Sequence, residues 1–122
     1  MSKIGIDIVD MERLTPQIID RIRVRVFSKD EIAEMEALRN PRRKMEYFAG
    51  RFAAKEAFFK ALGIGIFNAY LDQVEVLADE SGKPFLKVSD SVKRAYMSAY
   101  GEYSVSISHD GSYAVAVVLL EK

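Results

Sequence analysis

The sequence predicts a single α+β domain, residues 1–122, in which an antiparallel sheet packs on one long helix. Three observations predict it. The chain opens on an alternating, strand-like segment. Two hairpin signals join strand pairs in its second half, and a long run of helical periodicity lies between. A chain of 122 residues suits one compact unit and buries roughly two thirds of its unfolded surface.

The elements follow in order. In KIGIDIV, residues 3–9, alternation puts Ile4, Ile6 and Ile8 on one strand face and Gly5, Asp7 and Val9 on the other. Thr15-Pro16 starts a helix, with Thr as N-cap and Pro in the first turn, that runs through QIIDRIRVR. Ser28-Lys29-Asp30-Glu31 is a capping box before IAEMEAL, a second helix. Asn40-Pro41 breaks that helix. The long helix runs from about Arg43 to Leu62, with Gly63 as its C-cap. Residues 73–79 and 83–88 read as strands joined by a turn at Ser81-Gly82. Asp90 caps a helix through SVKRAYMSAY, ended by Gly101. Tyr103–Ser108 is a strand, Asp110-Gly111 a hairpin turn, and Tyr113–Glu121 a near-continuous apolar strand, buried on both faces or held in a subunit contact.

Composition narrows the function classes. Apolar residues make up 49% and charged residues 30%, and no apolar run reaches the ~18 residues of a membrane span. The segment MSKIGIDIVD carries Asp7 and Asp10 inside its short apolar part and does not read as a signal peptide, so a cytoplasmic location is expected. There is no cysteine, which excludes disulfides, thiolate metal sites and a thiol nucleophile. The 18 basic and 18 acidic residues cancel, which argues against a general nucleic-acid binder. Basic residues nevertheless cluster at Arg13, Arg21, Arg23 and Arg25, and again at Arg39, Arg42, Arg43 and Lys44, which suits acidic partners or phosphate.

The chemistry-bearing residues stand out against this frame. At roughly 100° per residue, Phe48, Phe52, Lys55, Phe59 and Leu62 form one stripe of the long helix. A lysine in such a stripe snorkels, pairs with an anion or lies at an interface. Glu56 and Lys60 share the adjoining face, where Ala49 and Ala53 permit close approach. If the Asp7 side of the first strand packs on this helix, its carboxylate needs a donor, a cation or a metal. Asp7 with Glu56 makes an oxygen pair of the kind that holds Mg²⁺ together with water and substrate phosphate. His109, the only histidine, ends a strand in phase with Tyr103, Val105 and Ile107 and is placed to meet a ligand.

Three stretches then act together: GIDIVDMER at 5–13, FAGRFAAKEAFFKALGIGI at 48–66 and VSISHDGSYAVAVV at 105–118. In order and spacing they resemble the small bacterial 4′-phosphopantetheinyl transferases of the holo-acyl-carrier-protein synthase family, and FSKDEI at 27–32 and SGKP at 81–84 are similar to its weaker motifs. The resemblance implies that family's fold and transfer of 4′-phosphopantetheine from coenzyme A to a serine of an apo-acyl carrier protein, in fatty acid biosynthesis. It implies Mg²⁺ at Asp7 and Glu56, and catalytic roles for Glu56 and Lys60. Coenzyme A contacts are implied at Arg43, Arg51, Lys55, Lys60, Gly63, Gly65, Pro84 and His109, and carrier-protein docking at Arg13, Arg21 and Arg25. A homotrimer with intersubunit sites is implied as well. Two positions depart from the pattern. Ile64 replaces a small hydroxyl residue, so phosphate contacts there fall to backbone N–H groups, and Asp10 stands where Glu is common. Either Glu56 or a metal-bound water could take the serine proton. A magnesium-dependent phosphohydrolase and a non-catalytic coenzyme A or carrier-protein binding module are the competing readings. The glutamate-rich helix of Nudix hydrolases is absent, and the joint presence of Asp7, Glu56 and Lys60 disfavours the binding module.

Overall fold

A computed structural model describes residues 2–65 and 70–122; Ile66, the last residue of the signature stretch, lies outside them. The chain forms β1 (Lys3–Asp10), α1 (Pro16–Val26), α2 (Lys29–Ala37), α3 (Pro41–Leu62), β2 (Val74–Ala78), β3 (Pro84–Val88), α4 (Asp90–Tyr96), β4 (Glu102–Asp110) and β5 (Tyr113–Glu121). Short 3-10 turns at Met11–Arg13 and Leu71–Gln73 lead out of β1 and into β2. The strands make two antiparallel sheets, one of order β1-β5-β4 and one pairing β2 with β3.

Local chemistry accounts for most boundaries. The Thr15 hydroxyl accepts from the Ile18 N–H, and Ser28 and Glu31 complete the reciprocal capping box. Asn40-Pro41 does more than break α2. Asn40 Oδ1 accepts from the N–H groups of Arg42 and Arg43 at 2.8 and 3.2 Å, so the pair is the N-cap and first residue of α3, two residues before the expected start. At the other end the Gly63 N–H reaches Lys60 O and the Ile64 N–H reaches Phe59 O, with Gly63 at φ 75°, a left-handed cap that glycine adopts without strain. The fourth helix departs from expectation at both ends. Ser89 rather than Asp90 is its N-cap, and it stops at Tyr96, with Met97 leaving helical geometry at φ −120° and buried in the core.

α3 is the axis of the molecule. Its Phe48 side packs with Phe27, Met35 and Tyr47 under α1 and α2, while Ala53, Ala57, Phe58 and Phe59 join Val74, Val76, Val118 and Leu120 in the main core. Full burial of each phenylalanine contributes roughly 2–3 kcal/mol. Small residues bring the sheet close: a Cβ on Gly5 would lie 1.9 Å from Ala57 O. The Gly5-Asp7-Val9 face of β1 therefore rests on α3. Its other face stays open, with Ile4, Ile6 and Ile8 at 69, 59 and 60% exposure. β5 is central but is not buried on both faces within one chain. Ala114, Ala116, Val118 and Leu120 are buried, whereas Val115, Val117 and Leu119 are half-buried and pair across with Ile8, Ile6 and Ile4. The result is a continuous apolar outer face.

Candidate active site

Asp7, Glu56 and Lys60 meet where β1 crosses the C-terminal half of α3. Lys60 reaches back over the strand, its Nζ 3.0 Å from Ile6 O and 3.4 Å from Asp7 Oδ1. Asp7 is nearly enclosed, at 12% side-chain exposure, while Lys60 stays open at 60%. Glu56 lies within hydrogen-bonding reach of Asp7. Burial, then that hydrogen bond and repulsion from the Asp7 charge, push the Glu56 carboxyl up to about 8, against the opposing pull of Lys60. Two carboxyls this close hold a proton between them unless a cation replaces it. Asp7 Oδ2 is buried and has no hydrogen-bond partner among the described residues. A carboxylate oxygen desolvated without a donor is costly, and a divalent cation removes that cost. The donor set is all oxygen and contains two carboxylates, which fits Mg²⁺ completed by water and phosphate. No cluster of three metal-binding side chains occurs among the described residues, so a self-sufficient metal cage is not built here.

Two cavities bear on the site, of which the first reaches the pair through Glu56 and the second lies along the N-terminal half of α3. One of about 400 Å³ is lined by Glu56, Asp10, Arg13, Phe52 and Tyr113. The other, of about 510 Å³, is lined by Arg43, Tyr47, Arg51, Gly82, Glu34 and His109 among others. Arg51 lies 4.1 Å over the Tyr47 ring and donates from Nε to Val76 O at 3.3 Å, leaving its terminal nitrogens to the cavity. Tyr47 in turn donates to Glu34 Oε1 at 2.8 Å, and Glu34 Oε2 accepts from the Ala78 N–H. Tyr47 and Glu34 are not among the residues expected from sequence. The spacing of Tyr47 four residues before Arg51 is the signal that points to the first; nothing local points to the second. Pro84 opens β3 opposite Ala78, which lines the same cavity, but Pro84 itself is not one of the lining residues.

Three expectations are corrected. Lys55 faces neither ligand nor interface: it is wholly buried, and its ammonium donates to Glu31 Oε1 at 2.7 Å, Leu71 O at 2.7 Å and Val74 O at 2.9 Å. All three donors are used, so nothing remains for coenzyme A. Burial pushes the Glu31 carboxyl up and the Lys55 ammonium down, and each partner's charge opposes the other's shift. Ile64 and Gly63 do not offer free backbone N–H groups, because the helix cap consumes both. The basic cluster after residue 38 is partly neutralised, with Lys44 and Arg23 sharing Glu36 and Arg42 pairing with Glu46. Arg13, Arg21 and Arg25 are exposed and form no ion pair among the described residues. On α1 the last two flank Val24, which is 72% exposed.

Comparison with known proteins places these features. Residues 3–118 match the 4′-phosphopantetheinyl transferase superfamily. The holo-[acyl-carrier-protein] synthase of Halalkalibacterium halodurans is 44% identical over 120 residues, covering 97% of this chain and 93% of the relative. The crystal structure of the Bacillus anthracis holo-(acyl-carrier-protein) synthase in complex with coenzyme A (3′,5′-ADP) superposes with a TM-score of 0.80 at 37% identity, covering 98% of this chain and 95% of that one. The Helicobacter pylori enzyme in complex with coenzyme A gives 0.79 at 31% identity, covering 97% and 99%. Sequence and fold agree over nearly the full length, and the chain belongs to the 4′-phosphopantetheinyl transferase superfamily.

Proposed function

We propose that this chain transfers the 4′-phosphopantetheine arm of coenzyme A to a serine of an apo-acyl carrier protein and releases adenosine 3′,5′-bisphosphate, the reaction for which its relatives are named. The observation that carries the site assignment is the Asp7–Glu56 pair with its unpartnered Asp7 oxygen beside Lys60. Asp7 and Glu56 would hold Mg²⁺, which supplies positive charge against the pyrophosphate as the bond breaks.

In the reaction the serine oxygen bonds to the β-phosphorus. The bond from that phosphorus to the bridging oxygen breaks, and the bridging oxygen leaves with the adenosine half. Lys60, anchored through Ile6 O but mostly exposed, meets the charge that develops on the departing phosphate. Glu56 borders the open cavity it shares with Arg13 and Tyr113, so it is the carboxylate of the pair that an incoming serine reaches. We assign it the serine proton. Arg43, Arg51 and His109 line the cavity that suits the phosphates of the nucleotide half. Arg13, Arg21 and Arg25 with Val24 form a basic surface that suits an acidic helix of the carrier protein.

The outer face of Ile4, Ile6 and Ile8 beside Val115, Val117 and Leu119 supports a homotrimer with sites completed between subunits. No helix of the described residues is long and apolar enough to cross a membrane. The test of the site is Glu56→Gln. It is expected to abolish transfer while leaving far-UV circular dichroism unchanged. Near-normal turnover in that variant would remove Glu56 from the metal site.

A further inference from the structure

We propose that Gly50 is a positioning residue for His109: by lacking a Cβ it lets the imidazole lie against α3 and fixes which ring nitrogen faces the nucleotide cavity. Gly50 is buried in the middle of α3, where helix propensity favours alanine. The same helix uses alanine at 49, 53, 54, 57 and 61, so smallness alone does not explain the glycine. A Cβ at Gly50 would lie 2.9 Å from Ile107 Cγ2, 3.1 Å from His109 Nε2 and 3.5 Å from His109 Cε1. The obstructed atoms are all β4 side chains, two of them in one ring, whereas at Gly5 they are backbone. Gly50 therefore makes room for the histidine and its strand neighbour.

The seat sets the ring's chemistry. His109 Nε2 lies 3.0 Å from Glu46 O, one turn before Gly50 on α3. A carbonyl oxygen only accepts, so Nε2 carries a proton in either charge state of the ring. Nδ1 is then the nitrogen left for the cavity shared with Arg43 and Arg51. It is an acceptor in the neutral ring and a donor to an anionic oxygen in the charged one. An alanine at position 50 displaces the ring from Glu46 O and leaves Nδ1 unaimed.

The proposal rests on the reading of this cavity as the coenzyme A site, and its test separates the two. His109 is the only histidine, so ¹⁵N-imidazole labelling gives a single ring to follow. The parent is expected to show a hydrogen-bonded Nε2 proton protected from solvent exchange, and Gly50→Ala to lose it. In titrations with coenzyme A, Gly50→Ala is expected to bind roughly tenfold more weakly, about the size of one charge-assisted hydrogen bond. His109→Ala should match it, and the double variant should be no worse than either. Retention of the protected Nε2 proton in Gly50→Ala would overturn the proposal. So would an equal loss of affinity from Gly50→Ala in a His109→Ala background. If His109→Ala binds coenzyme A like the parent, the cavity reading fails, and the ring proton still decides whether Gly50 seats the histidine.

Discussion

Replacing Lys55 by methionine tests the conclusion that this signature lysine is structural. The change removes a buried ammonium and keeps most of the side-chain volume. It removes the ammonium from Leu71 O, which keeps the Val74 N–H, and from Val74 O, and leaves Glu31 at 0% exposure without its counter-charge, holding only the Ser28 and Val76 N–H groups. Breaking a buried pair from one side costs about 3–5 kcal/mol, a large part of the ~5–15 kcal/mol that holds a domain of this size. At roughly 3–5 °C per kcal/mol, melting should fall by on the order of 10–20 °C. Lys55→Met/Glu31→Gln removes the stranded charge but does not restore the hydrogen bonds lost at Leu71 O and Val74 O, so it should recover about half of the loss. Urea denaturation of the parent, both single variants and the double variant gives the coupling directly. If Lys55→Met costs under about 1 kcal/mol, or if the two changes add, the buried-pair reasoning is wrong. If it instead leaves stability intact and weakens coenzyme A binding, Lys55 faces the ligand after all.

Three other outcomes follow from the same geometry. Gly5→Ala forces a Cβ into Ala57 O and Ala61 N, so β1 must lift from α3; stability should drop by about 1–3 kcal/mol or more and transfer should fall with it, because Asp7 rides on that strand. A parent-like melting curve would show that the strand does not rest on the helix as described. Because the folded-state pKa of Glu56 is raised to about 8, its carboxyl is mostly protonated at pH 7, and Mg²⁺ must displace that proton. Calorimetry in two buffers at pH 7 should register release of the larger part of one proton per ion, with affinity weakening as pH falls further below 8. The trend is opposite for stability: metal-free protein should lose stability as pH rises from about 4.5 to 8, and Glu56→Gln should lack that slope. Proton release near zero at pH 7 contradicts the carboxyl pair. Finally, Ile6→Asp puts a charge in the middle of the open apolar face and should convert trimers to monomers by light scattering; a parent that is already monomeric contradicts the trimer.

The sequence carried the parts of this structure that local chemistry determines. Alternation separated Gly5, Asp7 and Val9 from Ile4, Ile6 and Ile8, and that division holds in the fold. Caps at Thr15, Ser28 and Gly63 are where short-range hydrogen bonding puts them. Lys55 shows the limit. Its partner Glu31 is twenty-four residues away and already has a local role in the capping box, so no spacing rule points from one to the other. Asn40-Pro41 was ambiguous for a similar reason, since the dipeptide both stops one helix and starts the next. Glu34, which steadies Tyr47 under Arg51, became visible only when β2 brought the Ala78 N–H beside it. The glycine at position 50 carries no local signal at all; its reason lies in a histidine fifty-nine positions later.

The most direct test of the central claim is the mass of an apo-acyl carrier protein after incubation with this chain, coenzyme A and Mg²⁺. The account predicts a gain of one 4′-phosphopantetheine arm on the carrier, together with one adenosine 3′,5′-bisphosphate released per carrier modified. An unchanged carrier with free pantetheine phosphate in solution would contradict it and mark the site as a hydrolase.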